Sequence, residues 1–452
     1  MRNPRMPLTR DVDRVALTGS RLPTSQTGSI AAIRLMLISG LLTCASAAVA
    51  AEPLDASNLT LTAAVDLAVR DNPGLKSLRA RQAAMQERPA QARALPNPMF
   101  TYSGMDAVDG GDFPDTMEKR YMVQQPFPWF GKRRLREGLA EKDAEAMQAE
   151  VQTATLDVIV TVKETYADLY AVQRAIAITR DETSVLQRVS KVAESLYAAG
   201  DRSQQDVLKA QSESTMLSQK LLELQQQEAT LKARLNLLTN RRADAPLGAA
   251  TTPPPTAFEG RVETLFPLAA ANRPEIQAAR TQADRYRLET RLMSRESFPD
   301  YSLGVEYRDI GGGDDLLMIT VGIELPVWRT KYRAAVREAE QMLASSEAAR
   351  EAAERQAAFD VHDAHFKFVT ARRTLDLYRG ELIPQAEARF SASEAGYRSG
   401  KVDFMDLLES ERFLLNARIM AAMAEGALGT QLARLERAVG KPPAQQGADH
   451  AK

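Results

Sequence analysis

Asp406 and Glu409 stand three residues apart, a spacing that puts both carboxylates on one face of a helix. Repeated around an axis, such a pair makes an acidic ring, which favours cations and repels its own like-charged neighbours. The plainer reading is a solvated helix N-terminus, where Asp is common. His362 and His365, also three apart, could share a face and hold a metal ion. The chain has only three histidines and no second cluster beside these two, so a surface pair is the better reading and no metal site is expected. The sixteen methionines are scattered and read as packing. No nucleophile elbow, phosphate-cradling loop or zinc-ligand spacing occurs, so neither an enzyme nor a cofactor is expected.

The composition says what kind of scaffold holds these residues. The 452-residue chain has a formal net charge of −1, which gives no reason to expect a nucleic-acid partner. Charged residues make up 26% and aromatics 6%, a mix that favours long helices over a compact enzyme core. The apolar run Ile33–Val49 ends in "AVAAEP" and reads as a secretory signal cleaved near Ala50 or Ala51, with a transmembrane anchor as the alternative. Residues 1–51 are therefore set aside as a signal peptide and N-terminal extension. Cys44, the sole cysteine, leaves the mature chain without a disulfide framework. Its "LLTC" context resembles a lipoprotein cleavage site, although Thr43 fits poorly, so lipidation stays open.

The chain also repeats itself. Glu194, Tyr197, Gly200, Asp206 and Leu208 recur as Glu394, Tyr397, Gly400, Asp406 and Leu408, and Ala233-Arg234-Leu235 recurs as Ala433-Arg434-Leu435. The offset is 200 at every pair. "LAVRDNPGL" echoes "LAAANRPEI", and "PFPWFGKRR" echoes "ELPVWRTKYR". Residues 60–240 and 262–440 are thus expected to be two copies of one unit. A Pro-rich segment, 241–261, joins them, and a flexible tail, 441–452, follows.

Within a unit the hydrophobic period changes twice. Residues 62–94 read as helix, with Pro73 and Pro89 as points where it kinks or breaks. "YSLGVEYR" and "LMITVGIEL" then alternate strictly around the turn "DIGGGDD", and "MFTYSGM" and "KRYMVQQ" flank "DAVDGGDFPD" in the first copy, giving one hairpin per unit. Alternation over about nine residues fits an outer-membrane strand and equally an ordinary half-buried hairpin. Two hairpins give four strands, too few to close a barrel, and open edges are not tolerated in lipid, so a membrane barrel would need several chains. Residues 133–197 lack proline and carry apolar residues at helical spacing, predicting a helix of about 100 Å. A turn and a second helix, 203–239, follow. The second copy predicts helices over 332–397, with Pro384 as a kink, and over 402–439. The two shorter helices of a unit, stacked end to end, would match its long one.

The duplicated helix–hairpin–helix unit, the Tyr-x-x-Gly-x-x-x-x-x-Asp turns and "QPFPWFGKRR" together resemble the TolC-like outer-membrane efflux family. The last of these motifs looks most like the branch serving heavy-metal resistance-nodulation-division pumps. The resemblance covers nearly the whole mature chain. It implies a mainly α fold with a small β part: a homotrimer whose α-barrel tunnel joins a shared twelve-stranded outer-membrane β-barrel, with 241–261 near the equator. It implies a passive duct in the outer membrane of a Gram-negative type cell, in contact with outer-membrane lipid. Its partners would be a periplasmic adaptor and an inner-membrane pump, and its cargo small substrates such as metal cations. A soluble periplasmic coiled-coil adaptor or scaffold is the alternative; it explains the helices but not the alternating hairpins.

The resemblance also implies site residues. Asp206, Tyr397, Asp406 and Glu409 match a periplasmic gate, with Glu409 standing where a second Asp is usual and Val402 where an arginine is. Gly200, Asp201, Gly400 and Lys401 fall at the tips that meet the adaptor. Pro126, Pro128, Trp129, Phe130, Gly131 and Lys132, with Trp328 in the second copy, fall at a membrane-interface hinge between strand and helix. There the prolines are expected to end the strand ladder, the rings to form an aromatic belt, and Lys132–Arg134 to face lipid phosphates.

Overall fold

A computed structural model of the chain describes residues 58–105, 118–201, 203–252, 261–311 and 313–441. The expected signal segment with Cys44, the first hairpin's turn, Arg202, residues 253–260 of the inter-repeat segment, and the tail from 442 lie outside the described residues.

The first unit opens with a short strand, β1 (Asn58–Leu59), and three consecutive helices: α1 (Leu61–Asp71), α2 (Pro73–Gln86) and α3 (Arg88–Arg93). The helical stretch expected over 62–94 is thus broken into three, with the breaks just before Pro73 and Pro89. Asn72 ends α1 and starts α2: its Oδ1 accepts from the amides of Gly74 (2.9 Å) and Leu75 (3.2 Å). Pro73 takes the first helical position, where its missing N–H costs nothing. Strands β2 (Met99–Met105) and β3 (Glu118–Phe127) follow, then α4 (Lys132–Ala198) and α5 (Gln204–Leu238). The α4 helix has 67 residues and no internal proline to stop it.

After β4 (Ala249–Ala250), the second unit repeats this order with α6 (Val262–Asn272), α7 (Pro274–Glu296), β5 (Asp300–Ile310), β6 (Leu316–Glu324), α8 (Arg329–Leu377), α9 (Ile383–Arg398) and α10 (Phe404–Val439). The long helix expected over 332–397 is therefore two helices joined by the π-turn Tyr378–Leu382. The reason is Pro384, which has no N–H and would collide with the carbonyl four residues back. The wider turn bonds the Ile383 amide to the Tyr378 carbonyl instead.

The shorter helices run beside the longer ones, as the lengths require. α1, α2, α3 and α5 pack along α4; α6, α7 and α10 pack along α8; α10 and α7 also pack on α4, joining the two units side by side. The apolar seams are continuous. Ala64, Ala68, Val162, Tyr166, Leu169 and Leu235 form one buried cluster, and Leu265, Ala269, Val361, Phe368 and Leu435 its counterpart in the second unit. β1 pairs in parallel with β4, and the Tyr166 hydroxyl reaches the carbonyls of Leu59 and Thr251, both at 2.8 Å. The start of the first repeat and the segment after it are thereby pinned to mid-α4.

The two hairpins merge into one antiparallel sheet in the order β2-β3-β5-β6. Tyr102, Tyr121, Tyr307 and Leu317 lie in one register row, and Phe100, Val123, Val305 and Ile319 in the next on the same face. All eight are exposed. The other face carries Gln124 bonded to Ser302 (2.8 Å) and ion pairs Arg120–Glu118 and Arg308–Glu306. The two faces therefore differ in character over their central rows, because side chains alternate along a strand and the register sets these rows side by side.

Candidate functional site

Two ends of the molecule hold the residues singled out by sequence. At the far end of the helical columns, α4 and α9 stop in the same way. The Gly200 amide bonds to the Tyr197 carbonyl and Asp201 to Leu196; Gly400 bonds to Tyr397 and Lys401 to Gly396. That is one cap chemistry used twice, with Gly200 at φ 82° and Gly400 at φ 76°, a region open to glycine at little cost. Ser203 caps α5 and Asp403 caps α10 through their side chains. Val402, standing where the resemblance expects an arginine, folds back onto Gly396: a Cβ there would meet its Cγ2 at 2.3 Å. The second tip is closed by apolar contact.

The structure brings together Tyr397 and Asp206, both buried, with the tyrosine hydroxyl donating to Asp206 Oδ2 at 3.5 Å. Tyr397 also packs its ring on Phe404, centroids 5.4 Å apart. Asp406 and Glu409 are not part of that contact; both are exposed on α10, and Glu409 pairs with Arg389 on α9 at 2.9 Å. Gly200, Asp201, Gly400 and Lys401 are exposed at the extremities. His362 and His365 both lie against Phe366, His362 exposed and His365 half-buried.

Sequence reasoning missed a layer of buried charge behind this tip. Glu182 of α4 and Glu411 of α10 are both buried, with their carboxyls beside one another. Beside them Arg412 reaches Glu213 of α5, Nε to Oε1 at 2.8 Å. Burial, then the neighbouring Glu182 carboxyl, pushes Glu411 up to about 9, and burial raises Glu182 as well. One carboxyl of the pair thus keeps its proton at neutral pH. A signal did exist: Leu407, Leu408, Leu414 and Leu415 mark the apolar stripe of α10, and Glu411 sits in the middle of it.

The other end is the joint between sheet and columns. The expectation that Pro126 ends the ladder is corrected: β3 continues through Phe127, with Pro126 opposite Ser302. β2 stops at Met99, opposite Gln124, so Pro126 lies where β3 has a neighbour on one side only, as strand prolines require. Pro128 lies beyond the strand. The Trp129 amide donates to Asp300 Oδ1 (2.7 Å), and Gly131, at φ 88°, turns the chain into α4. Phe127 stacks on Tyr301, and Trp129 on Phe298, each with centroids 5.6 Å apart. Phe130 and Trp328 are exposed, Trp328 by 73%.

Lys132 overturns the expectation that it faces lipid phosphates. It is only 2% exposed, and its ammonium reaches Asp300 (2.8 Å), Glu296 (3.2 Å) and the Phe298 carbonyl (3.1 Å). A buried ammonium needs such partners, and three of its donors are used on the segment between α7 and β5. Arg133 is likewise taken, by the Arg93 carbonyl. Of the basic run only Arg134 is exposed. Lys132 is the bolt that ties the start of α4 to the start of β5.

A chain so built has known relatives. The family described as outer membrane efflux protein matches residues 64–241 and again 265–441. The cobalt-zinc-cadmium resistance protein CzcC of Cupriavidus metallidurans is 26% identical over 377 residues, spanning 80% of this chain and 86% of that one. Among solved structures, the outer-membrane channel OprN superposes with TM-score 0.73 at 20% identity (84% of this chain, 89% of that). The outer membrane protein VceC of Vibrio cholerae gives 0.71 at 21% (84% and 96%), and CusC 0.72 at 15% (84% and 92%). These structures share the fold over 84% of the chain. Matched over both of its repeats, the chain belongs to the outer membrane efflux protein family.

Proposed function

We propose that three copies of this chain form a passive duct that exports divalent metal cations delivered by a periplasmic adaptor and an inner-membrane pump of the resistance-nodulation-division type. The chain is an outer-membrane channel component and not an enzyme. Channels of this family work as trimers in tripartite efflux systems. The observation that carries the trimeric reading is the sheet. It has an apolar face, a polar face, and two edges, β2 and β6, with no further strand among the described residues. Open edges are forbidden in lipid, and three copies of four strands close them as a barrel of twelve. The outward-facing Leu222 and Leu237 of α5 support further contact between copies along the columns. A soluble adaptor or scaffold would have no use for the exposed apolar sheet face.

In this assembly the turns at Gly200–Asp201 and Gly400–Lys401 meet the adaptor. Asp206 and Tyr397 hold the second tip inward, while Asp406 and Glu409 present carboxylates that select for cations. The joint from Pro126 to Lys132, with Trp328, lies at the membrane edge. Residues 241–261 lie near the equator. Metal as cargo rests on the likeness to CzcC.

Deletion of the gene should sensitise cells to cobalt, zinc and cadmium, with resistance restored by the wild-type chain. The purified protein should need detergent and migrate as a trimer. Unchanged metal tolerance together with drug sensitivity would reassign the cargo; recovery in the aqueous periplasmic fraction would refute the duct.

A further inference from the structure

The basic patch at the joint is not the run that the sequence displays. It is a groove of about 860 Å³ between the start of α4 and the end of α7, with Arg134 on one wall and Arg291 and Arg295 on the other. All three are exposed, and none has a carboxylate at ion-pair distance among the described residues. Arg136 and Arg285, on the same two helices, are by contrast paired with Glu296 and Asp143. The floor is close-packed, since a Cβ on Gly138 would meet Leu288 Cδ1 at 3.3 Å. Two acids adjoin the groove, Glu141 and Glu137, and Arg93 of α3 pairs with Glu137 at 3.4 Å. Gly131 opens the groove and offers α4 no side-chain cap, so the positive end of a long helix points there as well.

A line of rings tells which side of the wall this groove is on. Tyr301 lies in the alternation of the apolar sheet face, with Leu303 and Val305. Phe130 lies 6.0 Å from Tyr301, Trp129 5.7 Å from Phe130, and Phe298 5.6 Å from Trp129. The Arg295 guanidinium sits over Phe298 at 5.8 Å. The groove therefore continues from the lipid-facing side of the sheet, just below its aromatic rim. It also lies in the middle of the protomer, because α4 has α3 on one flank and α7 is flanked by α8.

We infer that this groove binds the phosphate headgroup of an acidic phospholipid in the inner leaflet of the outer membrane. The guanidinium forks match phosphate oxygens in number and plane, and the rings above take the start of the acyl chains. This rests on the outer-membrane position of the chain, and it differs from a general attraction to membranes by naming three side chains on two helices.

The test uses the full mature protein reconstituted in vesicles of mixed phosphatidylglycerol and phosphatidylcholine, then extracted and weighed by native mass spectrometry. The wild type should retain phosphatidylglycerol selectively. The triple variant Arg134→Gln/Arg291→Gln/Arg295→Gln should bind it roughly a hundredfold more weakly, at about fivefold per arginine, and each single variant should show its own share. The control Arg180→Gln/Arg188→Gln/Lys191→Gln removes the same charge from the far half of α4, away from the joint, and should retain the lipid. Equal retention by both triples would overturn the site. So would displacement of the lipid by excess inorganic phosphate, which would mark a free-anion site. Failure of the wild type itself to enter vesicles would overturn the membrane reading, and this inference with it.

Discussion

Tyr197 and Tyr397 occupy the same place in the two repeats, three residues before the capping glycine, yet Tyr197 is 46% exposed and Tyr397 1%. The aspartates six residues past each glycine reverse the order: Asp206 is buried and Asp406 exposed. Backbone capping is the same at both tips, so it does not set the difference. Helix composition does. Where α5 has Gln204, Ser214 and Thr215, α10 has Phe404, Leu414 and Leu415 at the same offset; Phe404 and Leu415 enter a buried cluster with Leu186 and Val189 of α4, and Leu414 a second one with Ala386 of α9. The two tips share one backbone cap, and the apolar residues of α10 bury the second tip's tyrosine where the polar ones of α5 leave the first tip's exposed.

That contrast can be broken by mutation, most strongly at the tyrosines. Tyr397→Ala should cost about 3–5 kcal/mol, as for other buried aromatics, and Tyr197→Ala no more than about 0.5 kcal/mol. Unfolding midpoints of the two variants in detergent would show it, and equal losses would mean the trimer buries both. The next effect is one of pH. Glu411 stays protonated in the folded chain up to about 9, whereas an unfolded glutamate ionises near its ordinary value of 4.5. The stability this proton carries is full below the unfolded value and is lost as pH rises toward the folded one. Melting temperature should therefore decline across that window, and Glu411→Gln should flatten the decline; a variant that keeps the slope would locate it elsewhere.

A smaller effect is expected at the bond between the tips. Tyr397→Phe removes the long hydrogen bond to Asp206, so about 0.5–1 kcal/mol is at stake, and the second tip should loosen. Single-channel conductance in planar bilayers should rise for Tyr397→Phe with Asp406→Ala, and no change there would detach these residues from gating. The smallest effect belongs to the exposed pair. Arg389→Ala should cost about 0.2–1 kcal/mol through Glu409, and less in high salt. A larger loss would show that Glu409 is shielded in the assembly.

The joint at the other end shows how far sequence reading reaches. The rings and prolines of "QPFPWFGKRR" were legible as a strand-to-helix turn, because proline and glycine act on their own backbone. The fate of its lysine was not, since Glu296 and Asp300 approach from the second repeat, more than 160 residues away, and nothing local in the sequence marks them. Pro384 lies between these cases. A break was legible, but whether the helix would kink or widen depended on what packs around it.

The amino-acid order by itself determined the repeat, the helix and strand periods, the caps at Gly200 and Gly400, and the lack of any catalytic set. These are short-range properties, fixed by backbone sterics and by the spacing of apolar side chains. Only the tertiary structure decided which of the two repeated tyrosines is buried, that Glu411 lies against Glu182, and that Lys132 is spent inside the wall while Arg134, Arg291 and Arg295 line a groove. Such outcomes depend on which charges meet after distant helices pack, and no spacing along one chain segment encodes that.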